Sequence, residues 1–105
     1  MSTQTILNQE ITFDDEGFMA DHTQWSPELA AELAKANGLE ELTDRHFLVL
    51  DFMRKTFIET GSGPTIRRLT KQSGVPTKEL YALFPGAPAK KAALIAGIKK
   101  PVGCI

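Results

Sequence analysis

The side chain best suited to nucleophilic chemistry in this chain is Cys104, the only cysteine, set between Gly103 and Ile105. The thiolate is the reactive form, and an unassisted thiol with a pKa near ~8.5 is only a few per cent ionised at neutral pH. Lys99 and Lys100 favour the thiolate, while the carboxylate of Ile105 opposes it. Those influences partly cancel, so activation calls for a cation from the folded body. Arg67, Arg68 and Lys90 are the candidates.

Seven residue steps separate Gly97 from Cys104, so an extended segment carries the sulfur at most roughly 23 to 25 Å from Gly97. Gly97 and Gly103 are flexible points flanking the stiffer Pro101, which makes these three the expected hinge of an arm over residues 98–105. Chain ends are normally mobile. Such an arm is suited to inserting a thiol into the site of a partner protein.

The elements that must carry this arm read as one α+β domain, mostly α. Ile6, Ile11 and Phe13, then the acidic Asp14-Asp15-Glu16-Gly17 turn, then Phe18 and Met19, predict a β-hairpin within residues 1–20. A helical body of about five short helices is expected over residues 27–97. Ser26-Pro27-Glu28 is a helix start and Asn37-Gly38 a helix stop, with Leu39 placed for the contact that follows. Thr43 caps the longest helix, Asp44 to about Thr60. Phe47, Leu48, Val49, Leu50, Met53, Phe57 and Ile58 spread over much of its circumference, which predicts a central core helix. A third helix runs from about Thr65 to Gln72, a fourth opens at Val75-Pro76-Thr77 and stops at Pro85-Gly86, and a fifth runs from near Pro88 to Gly97.

Composition narrows the function classes. The 105 residues, 42% hydrophobic and 24% charged, match an ordinary globular domain with neither a disordered tract nor a membrane span. The N-terminal residues carry no basic-then-apolar signal, so the expected compartment is the cytoplasm, where a free thiol persists. One cysteine and two distant histidines lack zinc-site spacing, so no metal is expected. There is no phosphate-binding Gly-rich loop and no general acid–base pair, so no cofactor and no independent small-molecule turnover are expected. The net charge is −1, yet Lys and Arg gather from Arg54 onward while acids dominate before it, which makes the second half the partner-facing side.

Several stretches together resemble the DsrC/TusE family of sulfur-carrier proteins. They are Leu83-Phe84-Pro85-Gly86, Pro88-Ala89-Lys90, Ile95-Ala96-Gly97 and the run Lys100-Pro101-Val102-Gly103-Cys104-Ile105. Asp15-Glu16-Gly17-Phe18, Trp25-Ser26, Leu42-Thr43 and Pro64-Thr65-Ile66-Arg67 support it. The resemblance implies a hairpin, a helical body and a mobile C-terminal arm whose Cys104 accepts sulfur as a persulfide. It implies that Arg67 meets the arm; by charge, Lys90 and Lys100 are the further cations expected to stabilise the thiolate or persulfide. Members serving dissimilatory sulfite reductase carry a second cysteine where this chain has Ala93, so a cycle closing an internal disulfide is unavailable here. The Lys71–Leu80 segment also looks short beside those members, and both features resemble the TusE branch. That branch implies a relay toward tRNA 2-thiouridine synthesis, fed by a TusBCD- or DsrEFH-like sulfurtransferase and emptied by an acceptor such as a tRNA thiouridylase. The protein would then act as a carrier on protein persulfides rather than as an independent enzyme.

Two other classes compete. Ile66-Arg67-Arg68-Leu69 through Gly74 to Leu80 and Leu83 loosely matches a helix-turn-helix, but its second helix offers only Lys78 beside Glu79 with Tyr81, without the basic footprint that DNA binding needs. The loss of the second cysteine also fits a regulatory or assembly subunit whose thiol merely anchors it.

Overall fold

A computed structural model describes residues 2–99 of the protein. Strands β1 (Ser2–Ile6) and β2 (Gln9–Phe13) pair antiparallel, with Ser2 opposite Phe13 and Ile6 opposite Gln9. The reversal lies at Leu7 and Asn8, both left-handed (φ 54° and 62°), as a two-residue hairpin turn requires. The hairpin expected within residues 1–20 is therefore present, but its turn is not the acidic one. Asp14 forms the next corner instead: its Oδ1 accepts from the N–H groups of Glu16 (2.9 Å) and Phe18 (3.0 Å). This corner returns Met19 to a bridge with Phe13.

Helix α1 spans Pro27–Ala36, and Ser26 Oγ accepts from Leu29 N–H as its N-cap. It ends in a Schellman arrangement, Leu39 N–H to Ala34 O and Gly38 N–H to Lys35 O. Helix α2 spans Asp44–Thr60, α3 Ile66–Ser73, α4 Thr77–Leu83 and α5 Pro88–Ala96. A short 3-10 helix, His22–Gln24, lies in the polar stretch before α1 and was not expected. No helix among the described residues is long and apolar enough to cross a membrane.

The central helix is α5, not α2. Six of the nine α5 residues are buried, four of them alanines, and it packs against α1, α2 and α4. Alanine lets neighbouring backbones come close, so a helix with few large apolar residues can still sit at the centre. On α2, by contrast, Leu48 and Ile58 are exposed (41% and 62%). The larger core cluster joins α1, through Ala30 and Ala34, to α2, α3, α4 and α5; a smaller one holds Ile11, Phe13, Met19, Leu29 and Leu33 under the hairpin. Trp25 packs against both.

Candidate functional site

Cys104, Lys100, Pro101 and Gly103 lie outside the described residues, so the geometry to examine is the base from which their segment departs. That base is the C-terminal end of α5. Gly97 caps it in the left-handed conformation (φ 71°), donating its N–H to Ala93 O. Ile98 N–H also reaches Ala93 O, and the Ile98 side chain is buried in the larger core. The body therefore takes in Ile98, the residue at which the arm was expected to start.

Two side chains from elsewhere take the carbonyls of Ile95 and Ala96. Trp25 Nε1–H donates to Ile95 O (2.8 Å), and Arg54 Nη1–H to Ala96 O (2.9 Å). Arg54 also donates through Nη2 to His22 O (3.2 Å), and its guanidinium lies 4.3 Å from the centre of the Trp25 ring. The last carbonyls of a helix have no partner within it, so these bonds satisfy groups that would otherwise need water. Burial pushes the Arg54 pKa down from its usual value while the charge of Asp51 resists, and arginine stays protonated at any physiological pH. The His22 ring, edge-on to Phe57 at 5.3 Å, completes the wall.

The sequence-expected cations stand apart from this base. Arg67 is exposed in the first turn of α3, which packs on α2 and α4. Lys90 is exposed in the first turn of α5 and lines an open groove of about 370 Å³ with Phe13, Glu16, Glu32, Leu33 and Leu94. Seven residues of helix put Lys90 about 10 Å from Gly97 along the axis, at the opposite end. From Lys99, five residue steps give Cys104 a covalent reach of at most roughly 17 Å, more than the length of helix that separates Lys90 from Gly97. Gly97 was expected as a hinge; a Cβ there would lie 2.6 Å from Trp25 Cδ1 and 2.8 Å from Met19 Sδ, so its small size also serves packing.

Sequence reasoning missed Arg54 and the part played by Trp25. One signal was present: Arg54 lies four residues after Leu50 and three before Phe57, on the helical face that buries them. A cation there needs acceptors.

The helix-turn-helix outline is present as α3, the Gly74-Val75-Pro76 turn and α4. Its second helix has Glu79 occupied by a two-pronged bond to Arg45 (2.7 Å each), leaving Lys78 and Tyr81 as exposed features. Ala93, the position at which the family resemblance implies a second cysteine in other members, is fully buried in the larger core.

A family model described as "DsrC like protein" matches residues 5–105. The chain is 31% identical to the gamma subunit of dissimilatory-type sulfite reductase from Nitratidesulfovibrio vulgaris, over the whole of both chains. It is 40% identical to the sulfurtransferase TusE of Salmonella typhimurium, covering 92% of this chain and 94% of that one. The solution structure of Allochromatium vinosum DsrC superposes with a TM-score of 0.83 at 34% identity, covering 98% and 97% of the two chains. One expectation is corrected. The Nitratidesulfovibrio vulgaris alignment spans 105 residues of each chain, so that relative has no longer insertion before Tyr81. The TusE alignment takes 104 positions over 92% of this chain, so extra residues lie on the TusE side. A single DsrC fold thus accounts for the hairpin, the alanine-rich central helix and the terminal motif, and the chain belongs to the DsrC-like family.

Proposed function

We propose that the protein is a sulfur-relay carrier that holds sulfane sulfur as a persulfide on Cys104 and hands it to a partner protein. The observation that carries this reading is the family match through residue 105, which includes Cys104, in a sequence with no other cysteine. In the loading step the Cys104 thiolate attacks the outer sulfur of a donor persulfide. One S–S bond forms as the donor's breaks, and the donor sulfur leaves as a thiolate with the electron pair. The step is balanced without an external oxidant or reductant. Delivery is the same exchange in reverse, with Cys104 as the leaving thiolate.

The 40% identity to TusE and the single cysteine support the TusE-type route toward tRNA 2-thiouridine synthesis in the cytoplasm. The partners on that route are a TusBCD- or DsrEFH-like sulfurtransferase upstream and a tRNA thiouridylase downstream. Arg67, Lys90 and Lys100 are the cations within reach of the sulfur, and Pro101 and Gly103 its points of articulation. The test is intact-mass analysis after incubation with persulfidated TusBCD-type sulfurtransferase. Wild-type protein gains the mass of one sulfur atom and Cys104→Ala gains none. A wild-type protein that gains nothing from this donor or from sodium tetrasulfide overturns the reading. A Cys104→Ala strain that retains thiolated tRNA favours the assembly-subunit alternative instead.

A further inference from the structure

We infer that Arg54 and Trp25 form a clamp on the C-terminal end of α5 that sets the direction in which the Cys104 segment leaves the body, and that they are positioning residues for sulfur transfer between proteins. The inference rests on the carrier reading above and concerns how the carried sulfur is aimed.

Four observations converge on this end of the molecule. Arg54, on α2, joins three elements at once: Ala96 O on α5, His22 O in the 3-10 helix and the face of Trp25. Trp25, just before α1, binds Ile95 O and packs against both core clusters. Gly97 admits no side chain because Trp25 and Met19 occupy that space. Ile98 is anchored in the larger core. The chain therefore passes through residues 95–98 with the carbonyls of Ile95 and Ala96 bonded by side chains from two other segments, where water could have satisfied them instead. Elsewhere, stability is supplied by the apolar clusters. A partly buried guanidinium that spends its donors on two main-chain carbonyls costs desolvation, which fixing the geometry of this exit would explain.

Arg54 spends Nη1 and Nη2 on Ala96 O and His22 O, so the clamp acts through the path of the backbone, on the docking of the thiol into a partner and not on its reactivity. Its signature is a split between kinetic constants: weaker apparent binding of the protein donor at an unchanged chemical step.

The experiment uses the full chain as wild type, Arg54→Gln, Arg54→Lys and Trp25→Phe. Each is loaded from persulfidated TusBCD-type sulfurtransferase over a range of donor concentrations, and separately from sodium tetrasulfide. In Arg54→Gln the clamp predicts a KM for the protein donor raised roughly fivefold or more, with kcat and tetrasulfide loading close to wild type. Arg54→Lys, which keeps one charged donor but not the fork, falls between. Should Arg54→Gln fail to fold by circular dichroism, Trp25→Phe, which keeps a ring under the guanidinium but loses the bond to Ile95 O, carries the same prediction. A folded variant with wild-type KM overturns the clamp, as does a loss shared equally by tetrasulfide loading. Failure of the wild-type protein to load from either donor instead overturns the carrier reading, and the clamp's role with it.

Discussion

At the scale of single residues, His46 shows how a side chain outside the site fixes the frame. It is buried at the start of α2, where its Nδ1 accepts from Thr43 N–H (3.0 Å), so the proton resides on Nε2, which donates to Leu83 O (2.9 Å) at the end of α4. Its ring also stands edge-on to Phe84 at 5.2 Å. Thr43 Oγ1 caps His46 N–H in return, so histidine takes the place usually held by Glu or Gln in a capping box. Replacing it with alanine strands the Thr43 N–H and Leu83 carbonyl and is expected to cost about 2 to 3 kcal/mol by urea denaturation. His46→Gln, able to refill the capping position, should lose clearly less. The nearby Arg45–Glu79 pair makes a pH prediction. Two charged hydrogen bonds from Arg45 hold the Glu79 carboxyl below the ordinary value of 4.5. A carboxylate with a depressed folded pKa adds stability above its unfolded value, and that stability is lost as pH falls through the folded one. Wild-type stability should therefore decline below about pH 4.5, and Glu79→Gln should make the decline slightly shallower. The effect is small because the pair is exposed, and it should shrink further in salt.

At the scale of elements, the two glycines Gly74 and Gly97 separate conformational cost from packing cost. Both cap helices in the left-handed region (φ 80° and 71°), but an added Cβ meets nothing at Gly74 and collides with Trp25 and Met19 at Gly97. Gly74→Ala should cost about 1 kcal/mol, the price of the backbone alone, and Gly97→Ala about 2 to 4 kcal/mol because overpacking adds to it. Thermal unfolding of both variants checks the order, and equal losses would mean that Trp25 and Met19 yield freely. These caps were legible: Ser26, Thr43 and the glycines each carry a local signal that no tertiary contact has to supply. The Leu7-Asn8 turn was not, because without a glycine it looks like ordinary strand, while Asp14–Gly17 displays every turn residue and forms a different corner. The centrality of α5 was hidden for a related reason. Large apolar side chains mark a buried face in a sequence, whereas alanines that permit close approach leave almost no mark. Arg54 was invisible as part of the candidate site because its partners are main-chain carbonyls about 30 and 40 residues away in sequence. Cys104 was singled out from its residue type and position, and it lies outside the described residues.

At the scale of the whole molecule, charge is divided along the chain in a way its near-neutral sum conceals. Ten of the twelve Lys and Arg residues lie from Arg54 onward, and eleven of the thirteen acids lie before it. In the fold this puts exposed Arg67, Arg68, Lys71, Lys78, Lys90 and Lys99 on α3, α4 and α5 and just beyond, while acids populate the hairpin and α1. A protein donor with an acidic docking surface is steered toward this cationic half. Raising ionic strength from about 0.1 M to about 1 M shortens the screening length from about 10 Å to about 3 Å, enough to erase steering but not a contact already made. Sulfur transfer from a persulfidated protein donor should therefore slow severalfold over that range through a raised KM. Alkylation of Cys104 by neutral iodoacetamide, which has no charge to steer, should hold nearly constant. Were both rates equally indifferent to salt, the asymmetry of charge would be a property of the surface without a part in recognition. Were both to fall together, salt would be acting on the thiol itself, by screening the cations that favour its thiolate.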